Sequence, residues 1–138
     1  MEGGASRNSI LTMKHGIVTR GVLYDIARLK GVPYLQPGQR IFVEDLEAWE
    51  AMSGVKAGSG DAILLRWGRW ARQDDLGPFD TGAEAAGFDN TVIPWLKERD
   101  VAIIGWETPG YVPQPAGDLP RLALHDVALT MLAVHHVD

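Results

Sequence analysis

GSGDAILLRW, residues Gly58 to Trp67, sets four consecutive apolar residues directly behind a glycine-rich turn. A run that short, bounded by turn residues, reads as a buried strand. VAIIG at Val101 to Gly105 is a second run of the same kind. Between the two, Asp89 to Thr91 offers N-cap residues for a helix through Val92, Leu96 and Arg99, which Asp100 ends. Pro94 falls in its first turn, where a missing N–H is tolerated. Strands alternating with helices predict an α/β layer rather than a helix bundle.

Upstream, GIVTRGVLYDI (Gly16 to Ile26) places Val18, Val22 and Tyr24 on one parity and predicts the first strand. GVPYLQPG (Gly31 to Gly38) holds two Pro and two Gly and reads as a loop. EDLEAWEAM (Glu44 to Met52) starts with acids where the helix dipole favours them. Its Leu46, Trp49 and Met52 recur at helical spacing, and Gly54 supplies the stop. Downstream, Thr108 to Pro120 carries four Pro and two Gly, a loop long enough to cover a site. Leu122 to His135 then has helical recurrence at Leu124, Ala128, Met131 and Leu132.

The 138 residues fit one domain, 1–138, with no linker dividing it. At 46% hydrophobic and 22% charged, the composition is that of an ordinary globular protein. A formal net charge of -5 argues against nucleic acid as a partner. No apolar run approaches the ~20 residues that span a bilayer, and no basic n-region leads into an apolar segment. A cytoplasmic location with no membrane partner is therefore expected. Without Cys, any metal site must draw on His and carboxylates.

Several chemistries can be weighed from the residues. The glycines of GSGD have no P-loop Lys after them, so a plain turn is the better reading than a phosphate loop. RWGRWAR (Arg66 to Arg72) interleaves Arg with Trp67 and Trp70. It could stack on a ligand, yet Trp packing with Arg along the surface explains it more simply. No Ser sits in a G-x-S-x-G elbow. Two-carboxylate acid/base chemistry stays open, since none of the 18 acidic residues is singled out by its surroundings. The four His include no H-E-x-x-H pair. His125, Asp126, His135, His136 and Asp138 form the one local cluster, which reads either as a solvated tail or as donors for zinc or manganese.

The runs HGIVTRGVLYDIARLKGV (His15 to Val32), FVEDLEAWE (Phe42 to Glu50), GDAILLRWGRWAR (Gly60 to Arg72), LGPFD (Leu76 to Asp80), VIPWLKERDVAIIG (Val92 to Gly105) and LALHDVALTMLAVHHVD (Leu122 to Asp138) resemble, in order, the bacterial cyclase family that includes kynurenine formamidase. The resemblance implies a swivelling β/β/α-type fold, here an incomplete one with a central mixed sheet and flanking helices. It also implies a homo-oligomer, a small-molecule substrate and a zinc or manganese cofactor. The implied activity is hydrolysis of amide or cyclic amide and ester bonds, arylformamidase-like, in the breakdown of tryptophan to kynurenine.

Residue by residue, His125 matches the His that opens the family's C-terminal metal motif, and Asp138 matches its acidic ligand. Glu107 lies where relatives carry an Asp and is the expected catalytic carboxylate. Trp106 replaces the small residue before it, and Trp67 stands where Thr is usual. Relatives carry further His and Asp ligands upstream of the part matching Asn8 to Gly21, and a strand and helices beyond the Asp138 position. This predicts an incomplete metal site. The alternative is a catalytically inactive homologue that acts as an oligomeric or small-molecule-binding module.

Overall fold

A computed structural model of the chain describes residues 8–108, 112, 124 and 126–137. After a 3-10 turn at Ile10–Met13 come β1 (Gly21–Asp25), α1 (Ile26–Leu29), β2 (Arg40–Ile41), α2 (Val43–Ser53), β3 (Ala62–Arg66), α3 (Arg69–Leu76), β4 (Gly87–Phe88), α4 (Val92–Glu98) and β5 (Ile103–Trp106). A π-helical segment, Asp126–Met131, and β6 (His135–Val137) follow. Among the described residues no helix is long and apolar enough to cross a membrane.

The main sheet runs β1-β3-β5-β6, and β2 and β4 form a two-stranded sheet beside it. The α/β reading holds, but the expected mixed sheet does not: every described pairing is parallel. The cause is in the connections, because a strand that returns through a helix re-enters in the same direction as its predecessor. The strand order adds a second consequence. Each step goes to the same side, and right-handed crossovers that all step one way put their helices on one face.

Register separates the two faces. Val22 pairs with Ile63, and Ile63 with Ile104, while Tyr24 pairs with Leu65, and Leu65 with Trp106; all six are buried under the helices. Trp95 of α4 meets Tyr24 edge-on with ring centroids 6.1 Å apart, and the Trp49 indole of α2 donates to the Leu23 carbonyl at 2.7 Å. Phe88 of β4 packs against Trp106 at 5.8 Å and ties the small sheet to the large one. On the opposite face Leu23, Leu64 and Val137 remain 50%, 43% and 56% exposed, an unusual state for a parallel sheet.

A polar cluster lies inside this core. Glu50 is 3% exposed and accepts from the Tyr24 hydroxyl at 2.8 Å and from Arg99 at 2.8 and 3.1 Å. The Ala57 amide donates to the same carboxylate at 3.3 Å. Burial works to raise the Glu50 carboxyl, but Arg99 and Tyr24 outweigh it and hold it below its ordinary value. The Tyr24 hydroxyl is pushed up, by burial first and then by its bond to Glu50.

Local structure departs from the sequence reading in three places. The first strand is shorter than Gly16 to Ile26, and Asp25 opens α1 as its N-cap. A helix, α3, begins inside RWGRWAR at Arg69, where mixed polarity concealed it. The helix expected to reach His135 stops earlier: Ala133 takes a left-handed φ of 58°, and His135 to Val137 pair with β5. The segment Met1 to Arg7 and most of the loop from Thr108 to Pro120 lie outside the described residues.

Candidate functional site at the strand C-termini

Ligands of parallel α/β sheets gather beyond the carboxyl ends of the strands. There β1 ends on Asp25, β3 on Arg66, and Glu107 follows β5. The Asp25 carboxylate caps α1 by accepting from the Arg28 amide at 3.0 Å. Arg66 Nη1 donates to both oxygens of the same carboxylate, at 2.8 and 2.9 Å, which fixes the guanidinium over the edge of the sheet.

Glu107 is held differently. Its Oε2 accepts from three successive backbone amides, those of Trp67 and Gly68 at 2.7 Å and of Arg69 at 3.2 Å. Those amides point one way because Gly68 takes φ 95° and ψ 30°, the left-handed conformation that turns a peptide segment into an anion-binding concavity. Arg69 Nη1 returns to the Glu107 carbonyl at 2.7 Å. The turn is tight: a Cβ on Gly68 would lie 2.4 Å from the Pro33 carbonyl oxygen. It is further pinned by the Leu35 amide, which donates to the Trp67 carbonyl at 2.9 Å.

Arg66 and Glu107 stand on the rim of a groove of about 330 Å³ whose floor includes Leu23, Leu64, Gly105 and Val137. Leu64 lies across the bare backbone of Gly105, where a Cβ would come within 2.8 Å of its Cδ2. An apolar floor with one donor group and one carboxylate at its edge can hold a flat ring and orient a polar substituent on it.

Of the residues expected from the sequence, Glu107 is on this rim, while His125 and Asp138 lie outside the described residues. His135 and His136 are neighbours on β6, so their side chains leave opposite faces of the sheet; the His136 ring sits 5.2 Å from Trp106. Among the described residues no group of three or more His, Asp or Glu side chains could hold a metal ion. The described donors therefore do not form a cradle for zinc or manganese, and Glu107 spends one oxygen on the turn.

The structure adds Asp25, which the sequence reading passed over, and gives Arg66 a partner that reading did not foresee. Asp25 and Arg66 are register partners at the ends of adjacent strands, a pairing signalled by a charge closing each apolar run. Arg72 does not run along the surface as expected. It is 6% exposed, pairs with Glu84 and has its Cζ 4.0 Å from the Phe79 ring centroid. The Trp67 ring, fully buried, also meets Phe79, at 6.2 Å.

A protein-family model described as "Putative cyclase" matches residues 2–111. Among solved structures, one titled a novel cyclase is 26% identical with a TM-score of 0.66, over 88% of this chain and 40% of that one. Isatin hydrolase A from Ralstonia solanacearum is 24% identical with a TM-score of 0.62, over 85% of this chain and 44% of its own. Isatin hydrolase A from Labrenzia aggregata, bound to benzyl benzoate, is 20% identical with a TM-score of 0.61, over 85% and 45%. The chain thus spans less than half the length of these structures. No curated protein matches it significantly in sequence.

Proposed function

The chain belongs to the putative cyclase family, and from that membership we propose that it serves hydrolysis of an amide or cyclic amide or ester bond, arylformamidase-like, on a small aromatic substrate of tryptophan breakdown. The observation that carries the reading is the groove at the strand ends, apolar on its floor, with Arg66 and Glu107 on its rim. The aromatic ring would lie on Leu23, Leu64 and Val137. Arg66, steadied by Asp25, would donate to the carbonyl oxygen. Glu107 would take a proton from the water that adds to the carbonyl carbon and pass it to the amine or alcohol that leaves as the amide or ester bond breaks. A zinc or manganese ion belongs to the family resemblance, with His125 and Asp138 as the residues it assigns. The described donors by themselves make no cradle for such an ion.

The test is hydrolysis of N-formylkynurenine and of isatin by the purified chain, with and without added manganese or zinc, beside Glu107→Gln. Turnover that falls at least tenfold in the variant supports the reading, and absence of turnover on both substrates under every metal condition overturns it.

A second reading has its own support, since one Glu107 oxygen is committed to three amides. On that reading the chain is an inactive homologue that works as a homo-oligomer or a small-molecule binder. Metal analysis of the purified protein with light scattering separates the two: metal-free protein that still assembles favours the second.

A further inference from the structure

Buried donors without acceptors are rare in folded proteins, because each loses its hydrogen bonds to water and gains none in return. Some lie apart in this chain, at Asn90, Trp95 and His135, but several gather around one turn. Trp67 Nε1, Arg69 Nε, Arg72 Nε and Nη1, and Thr108 Oγ1 are all buried, and none has a hydrogen-bond partner among the described residues. The four residues belong to one neighbourhood. Trp67 and Arg72 both pack on Phe79. The Trp67 backbone amide and the Arg69 guanidinium both donate to Glu107, and Thr108 is the next residue along the chain. Arg72 is joined back to the turn through its amide, which donates to the Gly68 carbonyl at 3.0 Å.

We infer that the turn between β3 and α3 binds a small organic carboxylate, held by the Arg72 and Arg69 guanidiniums and the Trp67 indole beside Phe79. The excess is one of donors, so the ligand must bring acceptors. Two guanidiniums in the neighbourhood call for an oxyanion, the partner that Arg recognises best. Among the described residues Glu84 pairs with Arg72, while Arg69 Nη1 donates to the neutral Glu107 carbonyl, so one further negative charge is more easily seated than two, which favours a carboxylate over phosphate. The Trp67 and Phe79 rings offer an apolar wall to the rest of the molecule, which an inorganic ion would not use. Arg72 is more than nine-tenths buried, so its free N–H groups are already desolvated and lose little on binding. The site adjoins the groove through Glu107 but uses other side chains, and binding there does not depend on hydrolysis.

The test is calorimetric titration of the whole chain with sodium benzoate, with sodium acetate and inorganic phosphate alongside, and a thermal melt at each concentration. Saturable benzoate binding with a rise in Tm is expected, with acetate weaker and phosphate weaker still. Arg72→Met and Arg69→Met should each weaken benzoate binding on the order of tenfold, and Trp67→Phe, which keeps a ring but removes the indole N–H, by less. If Arg72→Met fails to fold, the other two variants decide. No saturable binding of benzoate to the unmodified chain, benzoate affinity unchanged in Arg69→Met and Trp67→Phe, or phosphate bound more tightly than benzoate would each overturn the inference.

Discussion

The Gly68 amide donates to Oε2 of Glu107 at 2.7 Å, across 39 positions of sequence, and so joins the turn after β3 to the end of β5. A single carboxylate oxygen thereby satisfies three amides at the start of α3. Glu107→Ala should cost about 1–3 kcal/mol in chemical denaturation, because it strands those amides. Glu107→Gln, which keeps an oxygen but loses the charge, should cost less. Equal stability of all three proteins would show that water serves the turn as well as Glu107 does.

Gly68→Ala should be among the most damaging single changes on this side of the sheet, at about 2–5 kcal/mol. Its left-handed φ disfavours a side chain, and a Cβ there would also strike the Pro33 oxygen and lie 2.7 Å from the Tyr34 Cα, both backbone atoms that cannot rotate away. Gly54 provides the control. It has φ 73° but nothing within 4 Å, so Gly54→Ala should cost only the conformational part, roughly 1–2 kcal/mol. Similar melting temperatures for the two variants would refute the close packing of the loop on Gly68.

Glu50→Gln leaves Arg99 facing a neutral partner in a buried setting and should destabilise the chain by about 3–5 kcal/mol. Arg99→Met should do the same by leaving the Glu50 charge alone. The double variant should be less damaging than the two losses added together, which a double-mutant cycle by urea unfolding would measure.

The same pair predicts an acid response. The folded Glu50 carboxyl lies below its ordinary value, so the unfolded chain binds its proton at a higher pH, near 4.3. Its contribution is full above that pH and is lost as pH falls through the lower, folded value. Asp61, held low first by Arg20 and then by the Gly58 amide, acts in the same direction. Stability should therefore drop steeply below about pH 4.3, and the drop should be shallower in Glu50→Gln. Parallel pH–stability curves for the two proteins would contradict this.

On the open face, Gly105→Ala should cost about 1 kcal/mol by pushing Leu64 off the strand, and Leu64→Ala in the same chain should recover most of it. The obstructing atom is the end of a flexible side chain, so the cost stays small. Additive losses measured by thermal melts would argue against the contact.

The α/β class was legible because AILL and VAII can hardly be anything but central strands, and the caps at Asp89 to Thr91 and Asp100 bracket a helix between them. The parallel direction could not be read from those runs, since direction is set by the crossovers and leaves no mark on a four-residue apolar segment. The run RWGRWAR misled for a related reason. Its polar residues suggest a wet surface, yet Arg72 is buried because Phe79 and Glu84, which lie beyond the end of α3, close over it. Glu107 was found through family resemblance, but its bond to the turn depends on the φ of Gly68, which composition does not encode. Likewise, β2 and β4 have two residues each, too few for any periodicity to show.

The sequential order of the four strands also bears on how the molecule is assembled as it leaves the ribosome. Each new strand can dock on the one made before it, so the growing edge always lies nearest the site of synthesis. Helix α3 is the exception, because its first turn finds its acceptor 38 residues later, on Glu107. During synthesis that helix emerges early but stays uncapped until β5 is in place, which makes the arrival of β5 the step that locks the nascent domain.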